Sequence, residues 1–134
     1  MWKYHHTIVS YKTLVIGAST NQERYSYQAV IRLMAAGIEV VPMGIKSGTI
    51  GGIYIIPPLS HEQDIHTVSI YLAPERQKDY FDYIIELQPK RVIFNTGTEH
   101  PAFAKKLTEV GIFWENACNL VLLSTNQYQS KKSE

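Results

Sequence analysis

Only one cysteine, Cys118, occurs in this 134-residue chain, so no internal disulfide can form. No Cys–His cluster is present either, and His61 and His66 lie five apart, off the i, i+4 spacing of helical metal ligands, so no metal is assigned. Charge of one sign is also lacking: 13 Lys and Arg against 12 Asp and Glu leave a net charge of +1. That balance gives no argument for nucleic acid, whose binders carry a basic stripe, or for an anionic membrane surface. No apolar run approaches the roughly 18 residues needed to cross a bilayer. The opening Met1-Trp-Lys-Tyr-His-His lacks the apolar core of a secretory signal, and its two histidines read as exposed. Together these absences lead us to expect a cytoplasmic protein. Missing too are the G-x-G-x-x-G dinucleotide fingerprint, the Walker loop and the G-x-S-x-G nucleophile elbow.

What is present is a regular alternation of short β-branched runs and helical stripes. Leu14 to Gly17 reads as a buried parallel strand stopped by glycine. Ala29, Val30, Leu33 and Met34 form the stripe of a helix from Tyr27 to Ala36, with Ser26 as its N-cap and Gly37 as its C-cap. Ile38 to Pro42 is a second strand, and Met43 to Pro58, rich in glycine, is a loop with a short edge strand. Ser60-His-Glu-Gln63 has the form of a capping box and predicts a short helix. Further strands are expected at Thr67–Leu72, Val92–Phe94 and Ile112–Trp114. Helices are expected from Pro74 to Leu87 and from Pro101 to Val110, each with proline in its first turn. The period of Asn119–Leu123 does not decide between helix and strand.

This order predicts a three-layer α/β, Rossmann-like fold with a mainly parallel sheet of five or six strands, helices on both faces and the Gly17 strand at its centre. The organisation is an extension over 1–11, one domain over 12–123 and a polar, frayed tail over 124–134. Ligands of such sheets sit at the carboxyl ends of the strands, where the winding reverses. Those ends are Gly17-Ala18-Ser19, Pro42-Met43-Gly44, Leu72-Ala73-Pro74 and Asn95-Thr96-Gly97. After Gly17, a polar loop running into a helix N-terminus makes an anion site from unpaired amides and the helix dipole.

The loop Gly17-Ala-Ser-Thr-Asn-Gln-Glu-Arg-Tyr-Ser26 resembles the G-A-S-x-N-x-x-R-x-S loop of the stand-alone CoA-binding proteins related to the succinyl-CoA synthetase α subunit. The likeness runs from about Lys12 to Leu120. Val40-Val-Pro42 and Lys46 match that family's V-x-P-V-N-P-K segment, Ala73-Pro-Glu75 falls where it has R-x-P-E, Asn95-Thr-Gly97 where it has Q-x-G, and Cys118 on a cysteine common near its end. Four positions depart. Gly44 replaces the family's asparagine, Ile45 its proline, Leu72 or Ala73 its strand-end arginine, and Asn119-Leu120 its Pro-Lys. The loss of two cations leaves fewer contacts for a pyrophosphate.

The resemblance implies a single-domain binder of coenzyme A or an acyl-CoA without catalysis of its own, since the ligase relatives carry their active-site histidine in a further domain. It places the phosphates at Ser19, Thr20, Asn21, Arg24, Tyr25 and Ser26, the adenine edge after the second strand, and pantetheine toward Asn95–Gly97. Arg24 and Lys46 are the candidate cations, Tyr25 and Tyr27 candidate cleft walls. Cys118 is either an inert thiol or, because CoA is itself a thiol, a partner for disulfide exchange. Two rivals remain. One is a nicotinamide-dependent enzyme on the same scaffold, disfavoured by the incomplete glycine pattern and by Glu39 lying inside its strand. The other is an interaction module carrying Tyr80, Phe81, Tyr83 and Trp114 on its surface. The sequence leaves monomer and homodimer both open.

Overall fold

The structure, a computed structural model, describes residues 10–129. Strand β1 (Thr13–Ile16) is buried at all four residues, as a strand covered on both faces must be. Helix α1 (Tyr25–Ala35) returns the chain to β2 (Val40–Met43), which pairs parallel with β1. A two-stranded hairpin, β3 (Thr49–Ile50) and β4 (Ile53–Tyr54), fills the glycine-rich segment. Strand β5 (Thr67–Ile70) pairs with the other edge of β1. Two short 3-10 turns, Pro74–Arg76 and Lys78–Tyr80, lead into α2 (Phe81–Leu87). Then follow β6 (Arg91–Phe94), α3 (Pro101–Glu109), β7 (Phe113–Asn116) and α4 (Asn119–Ser124).

The five parallel strands stand in the order β2-β1-β5-β6-β7. The alternation of side chains along β1 divides the core into two layers. Leu14 and Ile16 face Ile84 of α2 and Phe103 and Leu107 of α3. Val15 faces Val30 and Leu33 of α1, backed by Leu122 and Leu123 of α4. The three-layer expectation is met, with five strands in the sheet. β1 lies inside the sheet, but the middle position belongs to β5.

Four local expectations are corrected. Helix α1 starts at Tyr25 with Arg24 at the cap position, and Ser26 is buried in its first turn. The cause is Asn21, whose Oδ1 accepts the Glu23 amide and whose carbonyl accepts the Arg24 amide, both at 3.0 Å, so the chain turns before Ser26. The Ser60 box forms no helix, because its hydroxyl turns back to the Pro57 carbonyl at 2.6 Å. The helix expected from Pro74 is broken into two 3-10 turns and α2, with buried Gln77 between the turns donating its Nε2 to the Leu72 and Thr98 carbonyls. The tail beyond 124 is not frayed as far as it is described. Tyr128 is 2% exposed, its hydroxyl bonds Thr13 Oγ1 at 2.6 Å, and its carbonyl accepts Arg91 Nη1 at 2.8 Å. His5 and His6 lie outside the described residues. No helix among the described residues is long and apolar enough to cross a membrane.

Candidate functional site

The winding reverses between β1 and β5, and the crevice opens above their carboxyl ends. There the two backbones touch. The Tyr71 amide donates to the Ile16 carbonyl at 2.9 Å. Gly17 has φ +93°, and a Cβ on it would lie 2.9 Å from the Tyr71 carbonyl oxygen. Only glycine meets both conditions without strain. Gly44, at the end of β2, is held close in the same way: a Cβ there would strike the Ala18 carbonyl oxygen. The loop after β1 therefore packs on a side-chain-free position, which explains locally why an asparagine is absent at 44.

The amides of Gly17 and Ala18 donate to the Met43 carbonyl at 3.0 and 2.9 Å and face β2, away from the crevice. The Ser19 hydroxyl accepts the Asn21 amide at 3.0 Å. Ser19 and Asn21 thus shape the loop. The amides of Tyr25, Ser26 and Tyr27 make no hydrogen bond to described residues, and the first helical bond runs from the Gln28 amide to the Arg24 carbonyl at 3.2 Å. These orphan donors at the positive end of an 11-residue helix form the anion-attracting wall.

The crevice has two lobes, of about 440 and 220 Å³. Gly17, Arg24 and Tyr71 border both. The larger runs past Glu23 and Tyr25 to Ala73 and the Thr96-Gly97-Thr98 turn. The smaller lies under Ser19 and Thr20 and reaches Gly44, Ile45, Lys46, Leu72, Arg76 and Tyr80. Its charged lining is Arg24, Lys46 and Arg76, with no carboxylate among the described residues. Burial, and then the neighbouring Cys118 thiol, push the Tyr71 hydroxyl well above its ordinary value, so it stays protonated in the shared wall.

Of the residues singled out in the sequence, Gly17, Ala18, Ser19, Thr20, Asn21, Arg24, Tyr25, Ser26, Gly44, Lys46, Leu72, Ala73, Thr96 and Gly97 line one lobe or both. Pro42, Met43, Pro74, Asn95 and Cys118 line neither. Met43 is core. Asn95 is buried, its Nδ2 donating to Ser69 Oγ and the Ile70 carbonyl at 2.9 and 3.0 Å while its Oδ1 accepts the Asn119 amide at 2.8 Å. It fastens the start of α4, where half-buried Cys118 occupies the cap position. Tyr27 packs against the core on the α1 side. The lobes are also lined by Glu23, Ile45, Tyr71, Arg76, Tyr80 and Thr98, which the sequence did not single out as site residues.

Glu99 and His100, a candidate acid and base by position, are engaged structurally. Glu99 Oε1 accepts the Gly97 amide at 2.8 Å, and His100 Nδ1 accepts the Phe103 amide at 3.1 Å as the cap of α3. Among the described residues no three His, Cys, Asp or Glu side chains gather as metal ligands.

The sequence matches the profile of the CoA binding domain over residues 11–124. A crystal structure of an uncharacterized protein is 40% identical with a TM-score of 0.85, covering 88% of this chain and 98% of that one. Cell-free ID.343 from Thermus thermophilus superposes with a TM-score of 0.78 at 21% identity, over 88% of this chain and 90% of that one. The dinucleotide forming acetyl-coenzyme A synthetase 1 of Ca. Korarchaeum cryptofilum, in complex with phosphate and ADP, matches at a TM-score of 0.67 and 15% identity, 80% of this chain covering 25% of that one. The last two likenesses bear on the fold alone. No curated protein matches the sequence.

Proposed function

This chain belongs to the CoA binding domain family, and from that membership we propose that it binds coenzyme A or an acyl-CoA in the β1/β5 crevice, without chemistry of its own. The observation that carries the reading is the place of Arg24. It stands on the border of both lobes, at the open N-terminus of α1. A diphosphate there meets orphan amides and a guanidinium whose planar fork can hold two oxygens at once. The two ends of the ligand then take one lobe each. The adenosine end goes toward Gly44 and Lys46, and pantetheine goes past Tyr71 and Ala73 toward the Thr96-Gly97-Thr98 turn. The larger lobe suits the longer, less charged arm.

A nicotinamide cofactor fits less well. Glu39, the acidic residue nearest β2, precedes that strand and pairs with Lys12 at 3.7 Å, at the end of the sheet away from the crevice. The carboxyl end of β2, where a ribose diol would need an acidic partner, leads instead to Lys46. The engagement of Glu99 and His100 supports a binding role over catalysis.

Calorimetric titration with CoA, NAD and ADP tests the proposal. We expect CoA to bind best, at micromolar affinity or weaker, on the order of −8 kcal/mol or less favourable. NAD binding well above CoA would overturn it.

A further inference from the structure

We infer that Arg76, aided by Lys46, binds a second phosphate of the ligand, the monoester on its ribose, and so makes this chain distinguish coenzyme A from its dephospho form; the inference rests on the CoA reading above. Arg76 and Lys46 line the smaller lobe together with Arg24, and among the described residues no hydrogen bond or ion pair engages the side chain of any of the three. All three are exposed, and no carboxylate lines the lobe of about 220 Å³ beside them, so an anion entering it meets positive charge alone. A diphosphate at Arg24 accounts for one of them and for the α1 amides. Two cations are left, enough for a phosphomonoester, which carries close to two negative charges at neutral pH.

The position of the lobe agrees with that ligand. It opens at the end of β2, beyond the bridging Arg24, where the ribose and adenine follow the diphosphate. The larger lobe, by contrast, has Glu23 facing it and is a poor host for a further phosphate.

Arg76 is also carried on a fixed support. Its turn begins at Pro74 and closes with the Arg76 amide on the Ala73 carbonyl at 2.9 Å. The next residue, Gln77, is 1% exposed, and its Nε2 donates to the Leu72 carbonyl at 2.9 Å and the Thr98 carbonyl at 2.7 Å. With Leu72 and Ala73 uncharged at the end of β5, Arg76 is the cation this side of the crevice offers.

The test is calorimetry with coenzyme A and dephospho-coenzyme A on the parent protein, Arg76→Ala, Arg76→Lys and Lys46→Ala. We expect the parent to prefer coenzyme A by about 10-fold or more, the size of one charge-assisted contact. Arg76→Ala should lose most of that preference while binding the dephospho form like the parent, and Arg76→Lys should keep part of it. Thermal melting of the variants should match the parent, since Arg76 is exposed. A parent that binds both forms equally, or an Arg76→Ala variant that keeps the full preference, overturns the assignment and leaves the CoA reading standing. A parent that binds neither form overturns both.

Discussion

The side-chain amide of Gln77 donates to the main-chain carbonyl of Thr98 at 2.7 Å, joining the turn after β5 to the turn after β6. With its second bond to Leu72 it fixes two walls of the crevice from beneath, fully buried. Gln77→Ala leaves both carbonyls without this donor in a closed space. We expect a loss of about 2 kcal/mol in urea unfolding, since a buried acceptor left unpaired costs more than a bond formed gains. CoA affinity should fall with it, because Arg76 and Thr98 lose their common support. A Gln77→Ala protein as stable as the parent would show that solvent reaches these carbonyls.

Gly17 and Gly97 separate two costs. Both hold positive φ, +93° and +92°, but a Cβ at 97 would meet nothing within 4 Å, whereas at 17 it would crowd the Tyr71 carbonyl. Gly97→Ala should cost only the backbone strain, about 1–2 kcal/mol. Gly17→Ala should cost distinctly more and spread β1 from β5. Equal chemical denaturation midpoints for the two would refute the close approach.

The far end of the sheet bears on the last described residues of the chain. Arg91 is fully buried, its guanidinium 4.3 Å from the Tyr128 ring and bonded to Thr67 Oγ1 and the Tyr128 carbonyl. A chain ending at Ser124 strips that cation of its cover. We expect a loss of about 3–5 kcal/mol, the usual cost of deleting a buried aromatic side chain, although Glu115 at 4.0 Å still pairs with the guanidinium. Tyr128→Phe, which deletes the hydroxyl and its bond to Thr13 but keeps the ring over Arg91, should cost about 1 kcal/mol. Guanidinium unfolding of both proteins decides, and a truncated chain as stable as Tyr128→Phe would contradict the role of Tyr128 as a cover.

These cases also mark what the sequence could and could not reveal. Much of the order of strands and helices is legible because β1, β5 and β6 carry β-branched residues and α1 and α3 are stripes ended by Gly37 and Gly111. The loop that opens α1 is legible because Gly17 to Ser26 is contiguous. Tyr128 looked like part of a polar tail because its partner, Arg91, is distant in the chain, and a buried arginine reads in sequence as a surface one. Asn95 was placed in the site because a strand-end amide can face a ligand or a neighbouring element, and only the fold shows that β5 and α4 share its hydrogen bonds. Arg76 stayed hidden because it follows the strand by a turn whose shape is set by Gln77, through bonds that no local pattern announces.

Alkaline pH should weaken the fold. Burial, followed by Glu62 and Tyr80, pushes Tyr83 up to about 12. Burial likewise raises Tyr71 and Tyr128 above their ordinary value. In the unfolded chain all three ionise near pH 10. Below that pH their contribution is present in full. As pH rises from about 10 toward the folded values the unfolded state releases protons first, and stability is lost. Thermal melting should be flat up to about pH 9 and fall above 10. Tyr71→Phe should flatten that fall, and a parent-like alkaline slope in this variant would show that Tyr71 is not among the groups responsible.

Arg24 and Lys46 should differ in what they bind as well as in how strongly. Arg24 borders both lobes and sits at the cap position of α1 without a side-chain cap bond, so Arg24→Ala removes a ligand contact at little cost to the helix. We expect it to weaken coenzyme A, dephospho-coenzyme A and ADP alike, by roughly 1.5–3 kcal/mol, because all three present a diphosphate to the guanidinium. Lys46 is an exposed point charge in the smaller lobe alone. Lys46→Ala should weaken coenzyme A less than Arg24→Ala does, spare the dephospho form, and lose most of its effect at moderate salt, where exposed charges are screened. Both proteins should melt with the parent, since neither side chain is in the core. Paired calorimetry at low and moderate salt reads all of these at once. If Arg24→Ala binds all three ligands like the parent, the diphosphate does not lie at the start of α1.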